Sequence, residues 1–170
     1  MKIEALISAD EIQNRISELA KEIERDYGPK GEIVVVGVLK GAFMFMSDLV
    51  RHLNMPVRCD FLRVSSYDHD KNTGQVRMEF DLTQPIAGAD VLLVEDIVDT
   101  GNTLRYLLEH LHAKKPKSLK VASLLYKDTG GARKLVDYLC FNVPDKYVIG
   151  YGLDSEGLYR SLPYVGAFSQ

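Results

Sequence analysis

Short apolar runs alternate with helix-like segments along most of the chain. After Ser8, whose hydroxyl can cap a helix while Glu11 reaches back, apolar residues recur at helical spacing down one face: Ile12, Ile16, Leu19 and Ile23. This helix is predicted to end at the turn 27–29, Tyr-Gly-Pro. Residues 33–39 then form a continuous, mostly β-branched run, which is typical of a strand buried on both faces. The sequence therefore predicts a capped amphipathic helix followed by a buried strand.

The same strand-loop-helix order is predicted further along the chain. Lys40-Gly41 leads from the first strand into a helix that carries Phe45, Met46, Leu49 and Leu53. Residues 91–94 form another buried strand, and the next helix carries Leu104, Leu107, Leu108 and Leu111. A third such unit is predicted through residues 119–125. This alternation predicts an α/β fold with a central, mostly parallel sheet flanked by helices.

Two segments depart from that order. Residues 57–66 and 75–82 are predicted strands that flank the polar segment 67–74, which would form the mobile tip of a hairpin. Apolar and polar residues alternate along 75–82, so this arm is predicted to be half-buried, with one face in water. Beyond residue 132 the pattern weakens, although 147–151 is a further predicted strand and the last residues are expected to fold back as a cap.

Composition narrows the class of protein. A chain of 170 residues with 46% hydrophobic composition predicts one compact domain, residues 1–170. Twenty-one basic against 24 acidic side chains exclude the charge excess that nonspecific nucleic-acid binding requires. Cys59 and Cys140 lie far apart in apolar stretches, which favours buried free thiols in a reducing compartment. Without a signal-peptide core or an apolar run near the roughly 20 residues of a membrane span, we expect a cytoplasmic protein.

The segment 94–103, Val-Glu-Asp-Ile-Val-Asp-Thr-Gly-Asn-Thr, is the most informative in the chain. It places three carboxylates and a small polar turn between a buried strand and a helix, where α/β folds bind ligands. Residues 99–103 can present backbone N–H groups and hydroxyls at a helix N-terminus, as a site for a phosphate monoester requires. The adjacent pair Glu95 and Asp96 can accept hydrogen bonds from vicinal hydroxyls or approach a divalent cation.

Neither a dinucleotide site nor a simple helix cap fits this segment as well. The Walker pattern GxxxxGK is missing, and no GxGxxG follows a predicted strand, so a dinucleotide site is disfavoured. A helix cap with solvated acids would account for Asp99 or Thr100. It would not account for the preceding acidic pair. A phosphorylated sugar is therefore the predicted ligand.

Four blocks of this sequence resemble the purine phosphoribosyltransferases, in the order of that family: VGVLKGAFMFMSDL (36–49), DFLRVSSY (60–67), VLLVEDIVDTGNTL (91–104) and VPDKYVIGYGLD (143–154), with Arg160 shortly after. The branch that acts on hypoxanthine and guanine is the most similar. The resemblance implies the type I phosphoribosyltransferase fold, with a flexible hairpin flap at about residues 66–75 and a small hood from the N- and C-terminal segments.

The resemblance also implies a role for each site residue. Ribose and its 5′-phosphate would be held by Glu95, Asp96, Asp99, Thr100, Gly101, Asn102 and Thr103, with Asp99 as acid/base toward N7 of the purine. Diphosphate would be held by Lys40, Gly41 and Arg160. The purine would be held by Lys127, Lys146, Tyr147 and Val148, with Lys146 as donor to the 6-oxo group and the Tyr147 ring stacked on the base. Ser66 and Tyr67 would begin the flap.

The implied cofactor is Mg²⁺, ordered by Asp154 with Glu95 and Asp96 as possible further ligands. The expected partners are phosphoribosyl diphosphate and a 6-oxopurine, with no nucleic acid and no membrane, and the enzyme is expected to be a homodimer or homotetramer. The apolar helix 42–53 is a candidate contact surface between copies, or alternatively core.

The function implied is purine salvage, in which the 5-phosphoribosyl group passes to hypoxanthine or guanine and diphosphate is released. Two alternatives stay open at the level of sequence. One is an RNA-binding regulator that has kept this fold, which would need a basic face that the composition does not provide. The other is a transferase that prefers xanthine or adenine.

Overall fold

A computed structural model describes residues 2–66, 75–129 and 131–169. The strands within these ranges are β1 (Ile3–Ile7), β2 (Ile33–Leu39), β3 (Val57–Ser66), β4 (Val76–Phe80), β5 (Asp90–Val98), β6 (Ser118–Lys127), β7 (Tyr138–Val143), β8 (Val148–Ile149) and β9 (Val165–Phe168). The α-helices are α1 (Ala9–Tyr27), α2 (Phe43–His52) and α3 (Asn102–His112), and Ala132–Leu135 forms a short 3-10 helix.

Six strands form the main sheet, in the order β4-β3-β2-β5-β6-β7. All neighbours are parallel except β3 and β4, which form the predicted hairpin arm. Strands β2 and β5 lie side by side at the centre, with Val36 paired to Leu93. The chain leaves β2 toward β3 on one side and returns as β5 on the other, so the strand order reverses between them. Ligands of α/β folds bind at the carboxyl end of such a switch point.

Apolar side chains cover both faces of this sheet. Helices α1 and α2 pack on one face, where the buried residues include Ile12, Ile16, Phe45 and Leu49. Helix α3 packs on the other face through Leu104, Leu107 and Leu111. The predicted capping box is confirmed, because the Ser8 hydroxyl accepts from the Glu11 N–H and the Glu11 carboxylate accepts from the Ser8 N–H. The predicted α/β fold is confirmed as well.

A small antiparallel sheet joins the two ends of the chain, in the order β1-β9-β8. Glu4 pairs with Ala167, and Val148 pairs with Ala167 from the other side. The sequence pattern predicted only that the last residues fold back and that 147–151 is a strand. The observed strand is limited to Val148–Ile149, since Gly150 turns the chain with φ 94°.

Several predictions about the main sheet need correction. The acidic pair Glu95–Asp96 lies within β5 rather than in the loop after it, because β6 extends alongside and pairs as far as Val98 with Tyr126. Strand β4 is shorter than 75–82, and Phe80 is exposed. The register shifts between Arg63 and Val64, and such a bulge interrupts the inward and outward alternation.

The third predicted unit also differs from the structure. Strand β6 is followed by the 3-10 helix Ala132–Leu135 rather than an α-helix, and β7 then pairs directly with β6. Both cysteines are free, as predicted, but only Cys140 is buried, while Cys59 is exposed on β3. None of the helices in the described ranges is long and apolar enough to cross a membrane.

Candidate active site

Two adjacent carboxylates lie near the carboxyl end of the central strand β5. Glu95 is buried, and desolvation together with the charge of Asp96 raises its pKa well above the usual value. Burial raises the pKa of Asp96 to about 6, against the lowering effect of the Ile97 N–H, which donates to its Oδ1 at 2.7 Å, and of the Arg160 charge. Adjacent carboxylates whose pKa values are raised by burial are typical of a ligand-binding centre.

The polar turn predicted to hold a phosphate follows this strand. Asp99 and Thr100 are exposed, and Gly101 is the N-cap residue of α3 with φ 87°, so successive N–H groups lie at the helix N-terminus. A cavity of about 110 Å³ opens here, lined by Glu95, Ile97, Val98, Asp99, Thr100, Gly101, Thr103 and Leu104. Unpaired N–H groups and the helix dipole favour an anion at such a position. The structure therefore brings four of the predicted phosphate residues together with Glu95, while the fifth, Asn102, is exposed at the start of α3 and does not line the cavity.

Gly101 is needed for a reason that the sequence did not reveal. A Cβ on this residue would lie 2.6 Å from Cβ of Ala132, which belongs to the 3-10 helix after β6. Because Gly101 has no side chain, the turn can pack closely against the connection between β6 and β7.

The loop after β2 lies directly beside the acidic pair. The peptide between Leu39 and Lys40 is cis, and a Cβ on Gly41 would lie 1.7 Å from Oδ2 of Asp96. On its other side, a Cβ on Gly152 would lie 2.1 Å from the Gly41 carbonyl oxygen. The backbone of this first loop (residues 39–41) is thus held at Gly41 between Asp96 and Gly152, and neither glycine position has room for a side chain.

The first loop forms one wall of the site, and the segment 150–160 forms the other. Arg160 donates through Nη1 to the Gly152 carbonyl at 2.6 Å, and its Nη2 lies 3.1 Å from Oδ1 of Asp154. Oδ2 of Asp154 accepts from the Gly157 N–H at 2.8 Å. Both Arg160 and Asp154 influence the pKa of Asp96, in opposite directions. Of the predicted diphosphate and metal residues, Arg160 and Asp154 therefore share one cluster of charge with Asp96.

The four predicted purine residues fall into two groups. Lys127 ends β6, and Thr129, two residues on, donates a short hydrogen bond from Oγ1 to Asp99. Lys146 and Tyr147 instead line a larger cavity of about 500 Å³ together with Glu4, Ala167, Phe168 and Ser169. Tyr147 is 62% exposed, and its hydroxyl donates to the Asp154 carbonyl at 2.9 Å. Val148 is buried in β8.

The predicted flap lies largely outside the described residues. Ser66 is the last residue of β3, while Tyr67 and the rest of 67–74 fall in the range that the structure does not describe.

Thr129 is a site residue that the sequence analysis missed. The sequence does contain a signal for Thr129. Residues 128–130 have the same sequence, Asp-Thr-Gly, as residues 99–101, and they follow the neighbouring parallel strand.

Comparison with known proteins identifies the family. The model of the phosphoribosyl transferase domain matches residues 8–156. Hypoxanthine-guanine phosphoribosyltransferase of Dictyostelium discoideum is 43% identical over 100% of this chain and 97% of the relative. Hypoxanthine phosphoribosyltransferase of Salmonella typhimurium is 44% identical over 96% of this chain and 94% of the relative.

Solved structures agree with the sequence relatives. A hypoxanthine-guanine phosphoribosyltransferase from Bacillus anthracis superposes with a TM-score of 0.92 at 40% identity, over 98% of both chains. A hypoxanthine phosphoribosyltransferase from Trypanosoma cruzi superposes with a TM-score of 0.91 at 42% identity, over 98% of this chain and 91% of that one. The chain therefore belongs to the phosphoribosyltransferase family, in its hypoxanthine-guanine phosphoribosyltransferase branch.

Proposed function

We propose that the chain transfers the 5-phosphoribosyl group from phosphoribosyl diphosphate to hypoxanthine or guanine in purine salvage, through the residues described above. The observation that carries this proposal is the junction of β5 and α3. There the acidic pair Glu95–Asp96 lies next to a phosphate-sized cavity at a helix N-terminus. The vicinal hydroxyls of a ribose can donate hydrogen bonds to this carboxylate pair, and its 5′-phosphate can accept them from the N–H groups of the turn.

Each part of the activated sugar then has a partner of suitable chemistry. Glu95 and Asp96 accept hydrogen bonds from the ribose hydroxyls, and the turn 99–103 binds the 5′-phosphate through N–H groups and the hydroxyls of Thr100 and Thr103. The first loop, with Lys40 and Gly41, offers backbone groups and an ammonium to the diphosphate. Arg160 adds a guanidinium, which binds phosphate in a bidentate manner.

The transfer step needs a base near the purine. N9 attacks C1 of the ribose, the bond from C1 to the diphosphate oxygen breaks, and its electron pair leaves with the diphosphate. The proton at N7 passes to Asp99, whose exposed carboxylate is oriented by the Thr129 hydroxyl. The site geometry supports Asp99 for this role because this exposed residue lines the phosphate cavity.

Lys127 and Lys146 are both candidates for the donor to the 6-oxo group. An ammonium donates hydrogen bonds and cannot accept them, so it favours a 6-oxopurine over a 6-aminopurine. Lys127 is the last residue of β6, the strand next to β5, and so lies at the same carboxyl end of the sheet as Asp99. Lys146 instead lines the cavity beside β1 and β9. We therefore propose Lys127 as the donor, in place of Lys146, to which the resemblance assigned this role. To Tyr147 and Val148 we assign the stacking and backbone contacts to the base.

The donor set fits Mg²⁺, which prefers one or two carboxylates together with phosphate oxygens and water. No group of three or more His, Cys, Asp or Glu side chains suitable for a metal occurs in residues 2–66, 75–129 and 131–169. Asp154 would therefore hold the ion together with substrate oxygens, with Glu95 and Asp96 close by. When bound, the ion supplies positive charge against which the diphosphate can leave.

We propose that the small sheet β1-β9-β8 forms the hood, within a single domain of residues 1–170. We propose a homodimer or homotetramer as the working form. The α2 side of β3 offers an apolar contact surface, since Phe61 is 38% exposed beside exposed Cys59, and Phe43 at the start of α2 is 37% exposed. Free cysteines are compatible with a reducing compartment, and we propose the cytoplasm as the place of action.

A spectrophotometric assay with hypoxanthine, guanine, xanthine and adenine tests this proposal. Each base is supplied with phosphoribosyl diphosphate and Mg²⁺, and a parallel series contains a chelator. We expect turnover of hypoxanthine or guanine that requires the metal, and no turnover of adenine. Turnover of none of the four bases would overturn the proposed activity. Activity on xanthine alone would identify the other transferase considered above.

Filter binding to RNA at moderate salt tests the regulator alternative. With a formal net charge of −3, the chain offers no general attraction to RNA, and we expect no retention. Tight RNA binding without transferase activity would favour the regulator instead.

A further inference from the structure

Tyr151 and Asp48 form a partly buried contact between the segment 150–160 and α2, the helix that follows the first loop. The Tyr151 hydroxyl donates a short hydrogen bond to Oδ2 of Asp48, in the middle of α2. Gln13 of α1 donates to the same oxygen at 2.9 Å, and Arg51 donates to Oδ1. One carboxylate thus links α1 and α2 to the segment 150–160.

This contact lies immediately next to the loops proposed to hold diphosphate and metal. Helix α2 begins at Phe43, directly after the first loop, and Tyr151 directly precedes Gly152. Gly152 packs so closely on the Gly41 carbonyl that a Cβ on Gly152 would not fit, and Gly41 packs equally closely on the Asp96 carboxylate. A shift of Tyr151 would therefore move Gly152 against the first loop, and through it toward the acidic pair.

The backbone of Tyr151 indicates that the contact constrains its position. Its φ is 50°, a region that side-chain-bearing residues seldom adopt and that persists where surrounding contacts require it. The side chain is only 4% exposed, and the Tyr151 N–H donates to the Leu162 carbonyl at 2.9 Å. Both ends of the residue are thus held in place.

We propose that Asp48 and Tyr151 are positioning residues that hold the first loop and the Asp154–Arg160 segment at the separation that phosphoribosyl diphosphate requires. This inference rests on the proposed function, because it assumes that the two walls bind the diphosphate and its metal. Neither residue touches the reacting atoms. Their effect is on the preorganisation of the diphosphate site rather than on proton transfer.

The electrostatics of Asp48 agree with a tightly held contact. Partial burial raises the pKa of its carboxyl, but the donors of Tyr151, Gln13 and Arg51 outweigh that effect and hold the pKa below its ordinary value. The carboxylate is therefore charged at neutral pH, and hydrogen bonds to a charged acceptor are stronger than those between neutral groups.

Tyr151→Phe removes the contact while leaving two donors on Asp48. We expect KM for phosphoribosyl diphosphate to rise about 5- to 20-fold. This is only part of the roughly 10- to 150-fold effect of one hydrogen bond to a charged group, because the contact acts on the site through the two loops. KM for hypoxanthine should change less than about 2-fold, and kcat less than about 3-fold, because the base site and Asp99 are untouched. A merely structural role would lower thermal stability without separating the two KM values.

Tyr138→Phe is the matched control. The Tyr138 hydroxyl donates to Asp26 at 2.5 Å. Tyr138 is the first residue of β7, so this pair lies at the amino ends of the parallel strands, opposite the site at their carboxyl ends. It removes the same group from a second tyrosine–aspartate pair. We expect a comparable change in melting temperature and both KM values equal to those of the wild type.

Variants of Asp48 approach the same contact from α2. Asp48→Ala should reproduce the rise in KM for phosphoribosyl diphosphate, and it carries the test if Tyr151→Phe does not fold. Asp48→Asn keeps an oxygen that can accept from Tyr151, so KM should recover to within about 3-fold of the wild type. The inference fails if wild type is active and both Tyr151→Phe and Asp48→Ala keep its KM for phosphoribosyl diphosphate. An inactive wild type would instead overturn the proposed function.

Discussion

Asp96 illustrates the conflict between stability and function in a single residue. It lies half-buried beside Glu95 and against the Gly41 backbone, where burial raises its pKa to about 6. A side chain chosen only for folding would not carry a charge there. In the proposed function this charge is useful, because ribose hydroxyls and a cation would replace the water that the carboxylate has lost.

Asp96→Asn should therefore stabilise the free protein above neutral pH. Because the folded pKa is raised, the folded state binds the proton more tightly than the unfolded chain between about pH 4 and 6, and the free energy of unfolding falls as pH rises through that window. Asparagine does not titrate, so the free energy of unfolding of the variant does not fall in this way. We expect it to be about 1 to 2 kcal/mol more stable at pH 8, after allowance for partial exposure, and nearly equal to wild type at pH 4.

Thermal melts in metal-free buffer at both pH values measure this difference. Asp145→Asn, at an exposed turn, is the control and should show no pH-dependent gain. A variant that is less stable than wild type at pH 8 would contradict the assignment of Asp96 as a destabilising carboxylate.

Asp99→Asn tests the proposed acid/base at the same scale. Asparagine keeps the shape of the turn but cannot take the N7 proton, so turnover should fall about 10²- to 10⁴-fold. Calorimetry should show phosphoribosyl diphosphate binding largely intact, because the phosphate is held by the N–H groups of the turn. Asp128→Asn, in the neighbouring turn, should keep turnover within about 3-fold. Unchanged turnover of Asp99→Asn would remove Asp99 from the mechanism.

Helix α1 shows what an element contributes without touching the site. Its capping box satisfies N–H groups that would otherwise lack partners, and its buried face supports one side of the sheet. Arg15 on the same helix donates to the carbonyl of Leu139 at 2.7 Å, which covers part of the outer edge of β7. The helix therefore stabilises the sheet on which the site residues are arranged.

Ser8→Ala should lower the free energy of unfolding by about 1 kcal/mol, the usual effect of losing an N-cap. Both KM values and kcat should stay at wild-type levels, since the cap lies away from the site. Ser47→Ala, at an exposed position inside α2, is the control and should be neutral or slightly stabilising. Equal stability of the two variants, measured by urea unfolding, would show that the Ser8 cap contributes nothing.

At the scale of the whole molecule, the sheet is covered unevenly. Both faces of β2 and β5 are buried by helices, whereas the α2 side of β3 leaves Phe61 exposed. A Cβ on Gly37 would lie 2.3 Å from the Met46 sulfur and 3.2 Å from Cδ1 of Phe61, so this aromatic ring is continuous with the packing of α2. An apolar surface continuous with the core is typical of contacts between protomers.

Phe61→Lys should convert the proposed oligomer to a smaller species, because a charge in an apolar contact must be desolvated. Sedimentation velocity measures the change. Leu158→Lys, which replaces a 61% exposed apolar residue elsewhere, should leave the oligomer intact. A wild-type chain that sediments as a monomer, or a Phe61→Lys variant that assembles normally, would exclude this surface.

Local signals predicted much of the fold because they depend on neighbours in sequence. The cap at Ser8, the spacing of Ile12 to Ile23 and the run 33–39 all have partners within one helix or strand, and each was confirmed. Strand β7 and the pairing of β1 with β9 could not be read in this way. Their hydrogen bonds join residues far apart in the chain, as Glu4 and Ala167 are.

The sequence by itself determined the family, the order of elements and the chemistry of the segment 94–103, since these depend on residue types at fixed spacing. Only the tertiary structure decided that Glu95 and Asp96 lie inside a strand, because β6 pairs alongside them. It also decided that Gly41 is held between Asp96 and Gly152, and that Tyr151 reaches Asp48. Such contacts depend on how separate elements pack, and packing is a property of the whole chain.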